Sequence, residues 1–286
     1  SSGTAYSHQL YDVIRGATNY LVSNTTAAEN DGGSSFTNGL QSFNSDGFTV
    51  GNTATINDSG VANVSWNWKA GGTASTNTEG SVDTSVSANT IAGFSICTYT
   101  SDGNTTAGHG LSQAPELIII KRRDTGADWI VGGVPVNPDA YWQYGLKLNS
   151  TVAAVDETAW FGYQTAATST TFPLGNSAQT NTDGGTYVAY CFHSVEGYSK
   201  IGKYTGNGVQ NGSFVYTGFR PAFIFIKRSS SAGSNSYIID NKRIGYNHFV
   251  YATDAGSNKY LWPDSTAAEG NGTASKGIGL DIVSNG

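Results

Sequence analysis

The sequence predicts an all-β protein made of antiparallel β-sandwich units in tandem, and three observations carry that expectation. The first is composition: 286 residues include 37 Gly, no Met, 12% aromatic and only 13% charged residues, a mix suited to short strands joined by many turns. The second is punctuation. Asp-Gly or Asn-Gly steps recur at Asp31-Gly32, Asp46-Gly47, Asp102-Gly103, Asp183-Gly184 and Asn271-Gly272, where tight turns are expected, and no run of apolar residues follows helical spacing. The third is repetition. Tyr187-Val-Ala-Tyr-Cys-Phe-His193 has a twin in Asn63-Val-Ser-Trp-Asn-Trp-Lys69, so that Val188, Tyr190 and Phe192 fall on Val64, Trp66 and Trp68, one alternating face written twice.

Taken in order, Ser1 to Gly16 reads as a loop and a short strand. Asn19-Tyr-Leu-Val-Ser-Asn-Thr-Thr-Ala-Ala-Glu29 follows and returns as Lys259-Tyr-Leu-Trp-Pro-Asp-Ser-Thr-Ala-Ala-Glu269, with a weaker middle copy at Leu148-Asn-Ser-Thr151. Phe43 to Val50 predicts two strands around Asp46-Gly47, and Asn63 to Lys69 predicts a half-buried strand. Ala70 to Asn89 is nearly all Gly, Ser, Thr, Asn and Ala and reads as a linker with too little apolar surface for a core. Phe94 to Tyr99 opens the middle unit, and Leu117 to Arg122 predicts a strand buried on both faces. That strand returns as Phe223 to Arg228, with Pro115, Lys121 and Arg122 on Pro221, Lys227 and Arg228, and Trp129 and Tyr237 follow at matching places.

The unit is therefore about 105–125 residues long, a fit for one sandwich lobe and too long for a propeller blade or solenoid turn. The predicted organisation is a first unit at 1–72, a linker at 73–91, a second unit at 92–197 and a third at 198–286. The first unit lacks its opening strands and the third its closing strands. A segment of a longer polypeptide is expected, or partial units that complete each other, or a neighbouring subunit, by strand exchange.

Several chemistries find little support. A net charge of −6 and a pI near 5.1 give no basic field for nucleic acid, and the longest apolar runs are too short to cross a bilayer. Gly197-Tyr-Ser-Lys-Ile-Gly-Lys-Tyr204 matches a phosphate-loop pattern until Tyr204 stands where a hydroxyl must reach Mg²⁺, and a helix is not expected after it. It reads as a connector. His8, His109, His193 and His248 lack metal-ligand spacing, and no nucleophile elbow accompanies them. Asp156, Glu157, Glu196 and Asp281 could supply a carboxylate pair, but chance proximity explains such a pair equally well. Ca²⁺ could be held by Asn/Asp turns such as Asn30-Asp31 and Asn181-Thr-Asp183, though such turns are commonly only turns, and no cofactor is expected. Cys97 and Cys191 read either as two half-buried thiols or as a bridge across the middle unit.

Trp66, Trp68, Tyr190, Phe192, Phe223 and Phe225 lie in repeated strands and are expected in the core. Trp142, Trp160 and Trp262 lie in poorly matched segments, which places them in loops at the sandwich ends. There they would either plug the core or offer flat faces to sugar rings.

Asp12-Val-Ile-Arg-Gly-Ala-Thr, Phe43-Asn-Ser-Asp-Gly-Phe, Trp66-Asn-Trp-Lys-Ala-Gly-Gly72, Gly108-His-Gly-Leu, Val195-Glu-Gly-Tyr-Ser-Lys200 and Phe214-Val-Tyr-Thr-Gly-Phe-Arg-Pro-Ala222 together resemble the repeat region of large tail-fibre-like virion proteins of marine bacteriophages. The resemblance spans nearly the whole chain and implies concanavalin-like jelly-roll repeats at a virion surface. It also implies other virion proteins as partners and carries over no catalytic residue; contact with a host surface glycan is a separate reading, from the Trp residues. A structural host-attachment protein, homo-oligomeric and not an enzyme, is the expectation. A carbohydrate-binding module is the alternative, and a glycan depolymerase the least supported.

Overall fold

In a β-strand, successive side chains point to opposite faces, so a strand apolar at every position needs a core on both sides. The segment at 186–192 meets that condition and lies inside the largest sheet. The computed structural model describes residues 6–30, 39–137, 141–209, 212–243, 259–271, 280 and 282–284. Within them the chain forms β1 (Gln9–Asp12), β2 (Gly16–Val22), β3 (Leu40–Phe43), β4 (Phe48–Val50), α1 (Ala54–Asn57), β5 (Ser75–Asn77), β6 (Thr84–Asn89), β7 (Phe94–Thr100) and β8 (Thr106–Gly108). It continues with β9 (Leu117–Arg122), β10 (Trp129–Gly133), a 3-10 turn (Val134–Val136), β11 (Tyr144–Lys147), β12 (Val155–Asp156), α2 (Thr158–Phe161), β13 (Thr171–Pro173) and β14 (Thr186–Phe192). The remaining strands are β15 (Phe223–Ile226), β16 (Tyr237–Asp240), β17 (Lys259–Tyr260) and β18 (Gly270–Asn271). The protein is all-β, and its main sheet is antiparallel throughout, in the order β12-β11-β10-β9-β14-β7-β6-β5.

β14 pairs with β7 along its whole length and with β9 from Tyr187 to Phe192. Tyr187, Ala189 and Cys191 enter one apolar cluster with Ile118, Ile120, Ile130 and Tyr99. Val188 and Tyr190 enter a second with Phe94, Ile96, Trp129 and Val131. The short α2, β13 and the residues between them cover the first face, contributing Trp160, Phe161, Phe172 and Leu174. The β1–β2 hairpin covers the second face, with Leu21 wholly buried there. The two layers make the sandwich.

Several turns follow the sequence. Asn44 N–H donates to Gly47 O at 2.8 Å and closes the β3–β4 hairpin around Asp46-Gly47. Gly103 and Gly184 take φ of +82° and +73°, the left-handed region open to glycine. The turns expected at Asp31-Gly32 and Asn271-Gly272 lie wholly or partly outside the described residues.

Two expectations are corrected. The segment at 73–91 is not a linker, because β5 and β6 lie in it and β6 pairs with β7 from Thr84 to Asn89. Its small polar side chains are satisfied by backbone: Thr84 Oγ1 donates to Gly108 O at 3.0 Å and Ser87 Oγ to Gly72 O at 2.7 Å. With Val82 and Val86 buried beside them, a strand poor in apolar residues can join the sheet, since hydrogen-bonded hydroxyls tolerate burial. The stretch at 63–69, expected as a core strand, belongs to no sheet. Trp68 there is 46% exposed. The neighbouring strands that bury β14 on both sides do not flank this twin.

Candidate functional site

Trp142 and Trp160, expected in loops at the sandwich ends, are 2% and 5% exposed and belong to the first core cluster. Neither offers a face to a ligand. Trp142 meets Phe161 edge-on at 5.6 Å between ring centroids, and Trp160 sits on the short α2. Trp262 is half-buried, edge-on to Tyr260 at 4.9 Å. The three are not brought together as a binding face. Trp142 and Trp160 plug a core, because large rings on poorly matched segments still find apolar volume to fill.

The histidines serve structure where they are described. His109 is fully buried, with Nδ1 accepting from Leu111 N–H at 3.0 Å and Nε2 facing Thr168 O at 3.2 Å. Burial pushes its pKa down. His248 and Asp281 lie outside the described residues. Among the described residues, no group of three or more His, Cys, Asp and Glu side chains is arranged to hold a metal ion.

Cys97 and Cys191 are free and buried on the same face of the main sheet, and burial pushes the Cys191 thiol up. Their free state selects the thiol reading over the bridge. A thiol-specific reagent is expected to leave the native chain untouched and to label both cysteines once the chain is denatured, because the thiolate is the reactive species. Labelling of the native protein at the rate of a small free thiol would contradict this burial.

The most developed polar constellation is a buried ion network that the sequence reading missed. Asp12 closes the turn after β1, its Oδ1 accepting from Ile14 and Arg15 N–H at 3.1 and 2.9 Å. Its Oδ2 accepts from Arg15 Nε and from the Tyr190 hydroxyl, the latter at 2.8 Å. Arg15 also donates to Glu29 at 2.9 Å, to Leu10 O at 3.1 Å and to Tyr190 Oη at 3.1 Å. Glu29 in turn accepts from Arg123 at 2.7 Å. Burial opposes the Arg15 charge, but Tyr190 and the two carboxylates outweigh it and hold the guanidinium ionised. Burial likewise raises the Tyr190 phenol. Nearly every donor is matched, as buried charge requires.

The same device recurs. Asp240 Oδ1 accepts from Lys242 and Arg243 N–H at 2.9 and 3.0 Å, and Oδ2 accepts from Arg243 Nε at 2.7 Å. Arg243 reaches Glu269 at 3.1 Å and Ile238 O at 3.0 Å. In place of Tyr190 stands Trp66, its indole N–H 3.2 Å from Asp240 Oδ2 and its ring 5.4 Å beneath the Arg243 guanidinium. Trp66 is the sequence twin of Tyr190, and Glu269 that of Glu29. The missed signal was Asp-x-x-Arg, present at Asp12-Val-Ile-Arg15 and at Asp240-Asn-Lys-Arg243.

Backbone contacts between the thirds of the chain recur as well. Glu29 N–H donates to Arg123 O and Ala127 N–H to Thr26 O, both at 2.8 Å. Further along, Ala154 N–H donates to Ser229 O at 2.8 Å and Gly233 N–H to Thr151 O at 2.9 Å. Lys121 Nζ reaches Thr26 O and Ala127 O at 3.0 and 2.5 Å, while its twin Lys227 reaches Ser150 O at 2.5 Å. Finally, His8 Nε2 lies 3.0 and 3.1 Å from Trp262 O and Ser265 O, and Ser23 Oγ donates to Pro263 O at 2.7 Å. First touches second, second touches third, and third touches first. The expected lobes in series are instead interlocked.

Lys121 gives this interlock a pH signature. It is fully buried, and desolvation lowers its pKa to about 8. Below that value both folded and unfolded states hold the proton, and the folded state bears the desolvation cost. Between about pH 8 and the unfolded value near 10.4, only the unfolded state keeps it, so stability rises with pH by up to ~3 kcal/mol. Denaturation midpoints measured from pH 7 to 10.5 should climb in the wild type and flatten in Lys121→Met. Equal slopes in the two proteins would refute the assignment.

A shallow open groove of about 540 Å³ lies beside β6 and β7, lined by hydroxyls of Thr76, Thr98 and Thr100 with Asp83, Asp102 and Arg123. Its Arg123 is already committed to Glu29.

The fold and these contacts define an all-β, sandwich-built protein whose parts are joined by buried polar locks. Matched over residues 1–286, the chain belongs to the family described as domain of unknown function DUF7483. Neither a curated protein nor a solved structure matches it.

Proposed function

We propose that the chain is a structural segment of a phage tail fibre or similar surface appendage concerned with host attachment. The observation that carries this reading is the recurring lock between its thirds, in which Tyr190 and Arg123 meet the Asp12–Arg15–Glu29 group, Trp66 meets Asp240, and backbone hydrogen bonds join parts that a flexible linker would leave free. An appendage bears load along its length and gains stiffness from such joints. A surface dominated by Ser, Thr, Asn and Gly keeps it soluble with few charges. Its partners in this reading are other virion proteins and further copies of itself. Antibody labelling of particles from the native source, viewed by electron microscopy, is expected to decorate an appendage; a protein recovered only outside particles would overturn the proposal.

Glycan contact remains a second reading because of the hydroxyl-lined groove at Asp83 and Asp102, a surface of the kind that hydrogen-bonds sugars. A glycan array comparing wild type with Asp83→Ala/Asp102→Ala tests it, and binding equal in the two would remove the groove from consideration.

A further inference from the structure

We infer that Lys227 and Asp264 are built to condense into an amide between their side chains, a covalent cross-link where the three parts of the chain meet. Lys227 follows β15 and Asp264 follows β17. Their side chains are 6% and 0% exposed, with Nζ 4.0 Å from Oδ2. Lys227 also donates to Ser150 O of the middle third, while His8 and Ser23 of the first third bond the backbone oxygens of Trp262, Pro263 and Ser265 on either side of Asp264.

As an ion pair the arrangement is poor. A separation of 4.0 Å exceeds hydrogen-bond reach, and Asp264 Oδ1, like Ser236 Oγ, is buried without a partner. Buried charge left half-bonded costs stability. The related positions avoid that cost. Asn24, the sequence twin of Asp264, accepts from His8 N–H at 3.4 Å and donates to Ser7 Oγ at 3.3 Å. Asn149 in the middle copy accepts from Trp129 N–H and donates to Asp128 Oδ1, both at 2.8 Å. Asp264 Oδ2 keeps the shared feature, accepting from Ser236 N–H at 3.0 Å. Asp128, the carboxylate that attracts Lys121, has its second oxygen on Lys147 at 2.6 Å. The last copy thus differs in setting a carboxyl with one open oxygen against a buried amine.

Condensation needs a neutral amine and a neutral carboxylic acid. Burial pushes the Lys227 amine down and the Asp264 carboxyl up, against the attraction between them, and so favours both reactive forms. The Nζ lone pair bonds to Cγ, closing to the attack range of about 3–3.5 Å. Ser236 N–H, already on Oδ2, steadies the charge that develops on that oxygen. One Nζ hydrogen passes to the departing hydroxyl, the Cγ–Oδ1 bond breaks, and water leaves. The atoms balance without an oxidant or further reactant, and the product replaces two buried charges with a neutral amide.

Intact mass spectrometry of the wild-type chain, incubated folded near neutral pH and then denatured, tests this directly. The expected spectrum contains a species lighter than the sequence mass by one water molecule. Its tryptic digest should hold a fragment in which the Lys227 and Asp264 peptides are joined. Lys227→Arg, whose guanidinium stays protonated and cannot condense, and Asp264→Ala should both show the full sequence mass. A wild-type chain that keeps its full mass after prolonged incubation overturns the inference, and that result needs no variant to fold. A loss of water reversed by hydroxylamine would be a succinimide at Asp264-Ser265 and would overturn it as well. The outcome is independent of particle labelling: the cross-link can form where the appendage reading fails, and the reverse.

Discussion

Arg15→Ala is expected to destabilise the fold by about 3–5 kcal/mol, the range for removing one member of a buried ion group. The Arg15 and Asp12 side chains are 0% and 2% exposed, so water cannot replace the lost guanidinium. The Tyr190 hydroxyl and the Leu10 carbonyl lose a partner at the same time. Arg243→Ala, in the twin network, should cost less, about 1–2 kcal/mol, because Arg243 and Glu269 are 11% and 31% exposed and Lys259 also reaches Glu269 at 3.2 Å. Urea denaturation of the two variants gives the comparison, and an inverted order would sink this account. Acid adds a second readout. Burial works against the Asp240 charge, yet Arg243 and two backbone N–H groups hold its carboxyl below the usual carboxylate range. That contribution is complete above the unfolded value near 3.9 and fades as pH falls through the lower folded value, and Arg243→Ala should reduce the dependence.

Trp160→Ala is expected to cost about 3–5 kcal/mol, as deletion of a core ring does, and to act on stability with no separate effect on sugar binding. The reason lies in how the ring is seated. A Cβ at Gly145 would fall 2.5 Å from Trp160, and one at Gly132 would fall 2.4 Å from Phe161. The two glycines on β11 and β10 thus leave the hollows into which α2 sets its aromatics. Gly145→Ala and Gly132→Ala should each cost about 1–3 kcal/mol by forcing a ring outward. Thermal melts with a glycan array run on the same preparations distinguish this from a recognition role. A Trp160→Ala protein with wild-type stability and lost glycan binding would restore Trp160 as a contact residue.

The strands with dense apolar patterns were legible in the sequence. β9 runs apolar strongly enough that burial on both faces was the expectation, β14 was expected to bury one alternating face and buries both, β7 was expected to open the middle unit, and the Asp-Gly and Asn-Gly steps marked several turns. β5 and β6 were not legible, since Ser, Thr and Ala are read as loop until hydroxyls find buried carbonyl partners. The tryptophans failed for a related reason: sequence shows a large ring on an unmatched segment, and only packing decides whether that segment folds inward. Asp12, Arg15 and Glu29 are ordinary surface residues by type. Their burial depends on one another and on Tyr190, far away in the chain, which local pattern cannot express.

By itself the sequence determined the all-β class and the places of the strongest strands. Those properties follow from residue type, spacing and turn chemistry, which act over a few neighbours. Tertiary structure alone decided that Tyr190 is buried while its twin Trp66 is only half covered, that Trp142 and Trp160 fill a core, and that the thirds interlock. Each of those outcomes depends on which strands lie alongside, and that is fixed by contacts among residues distant in sequence.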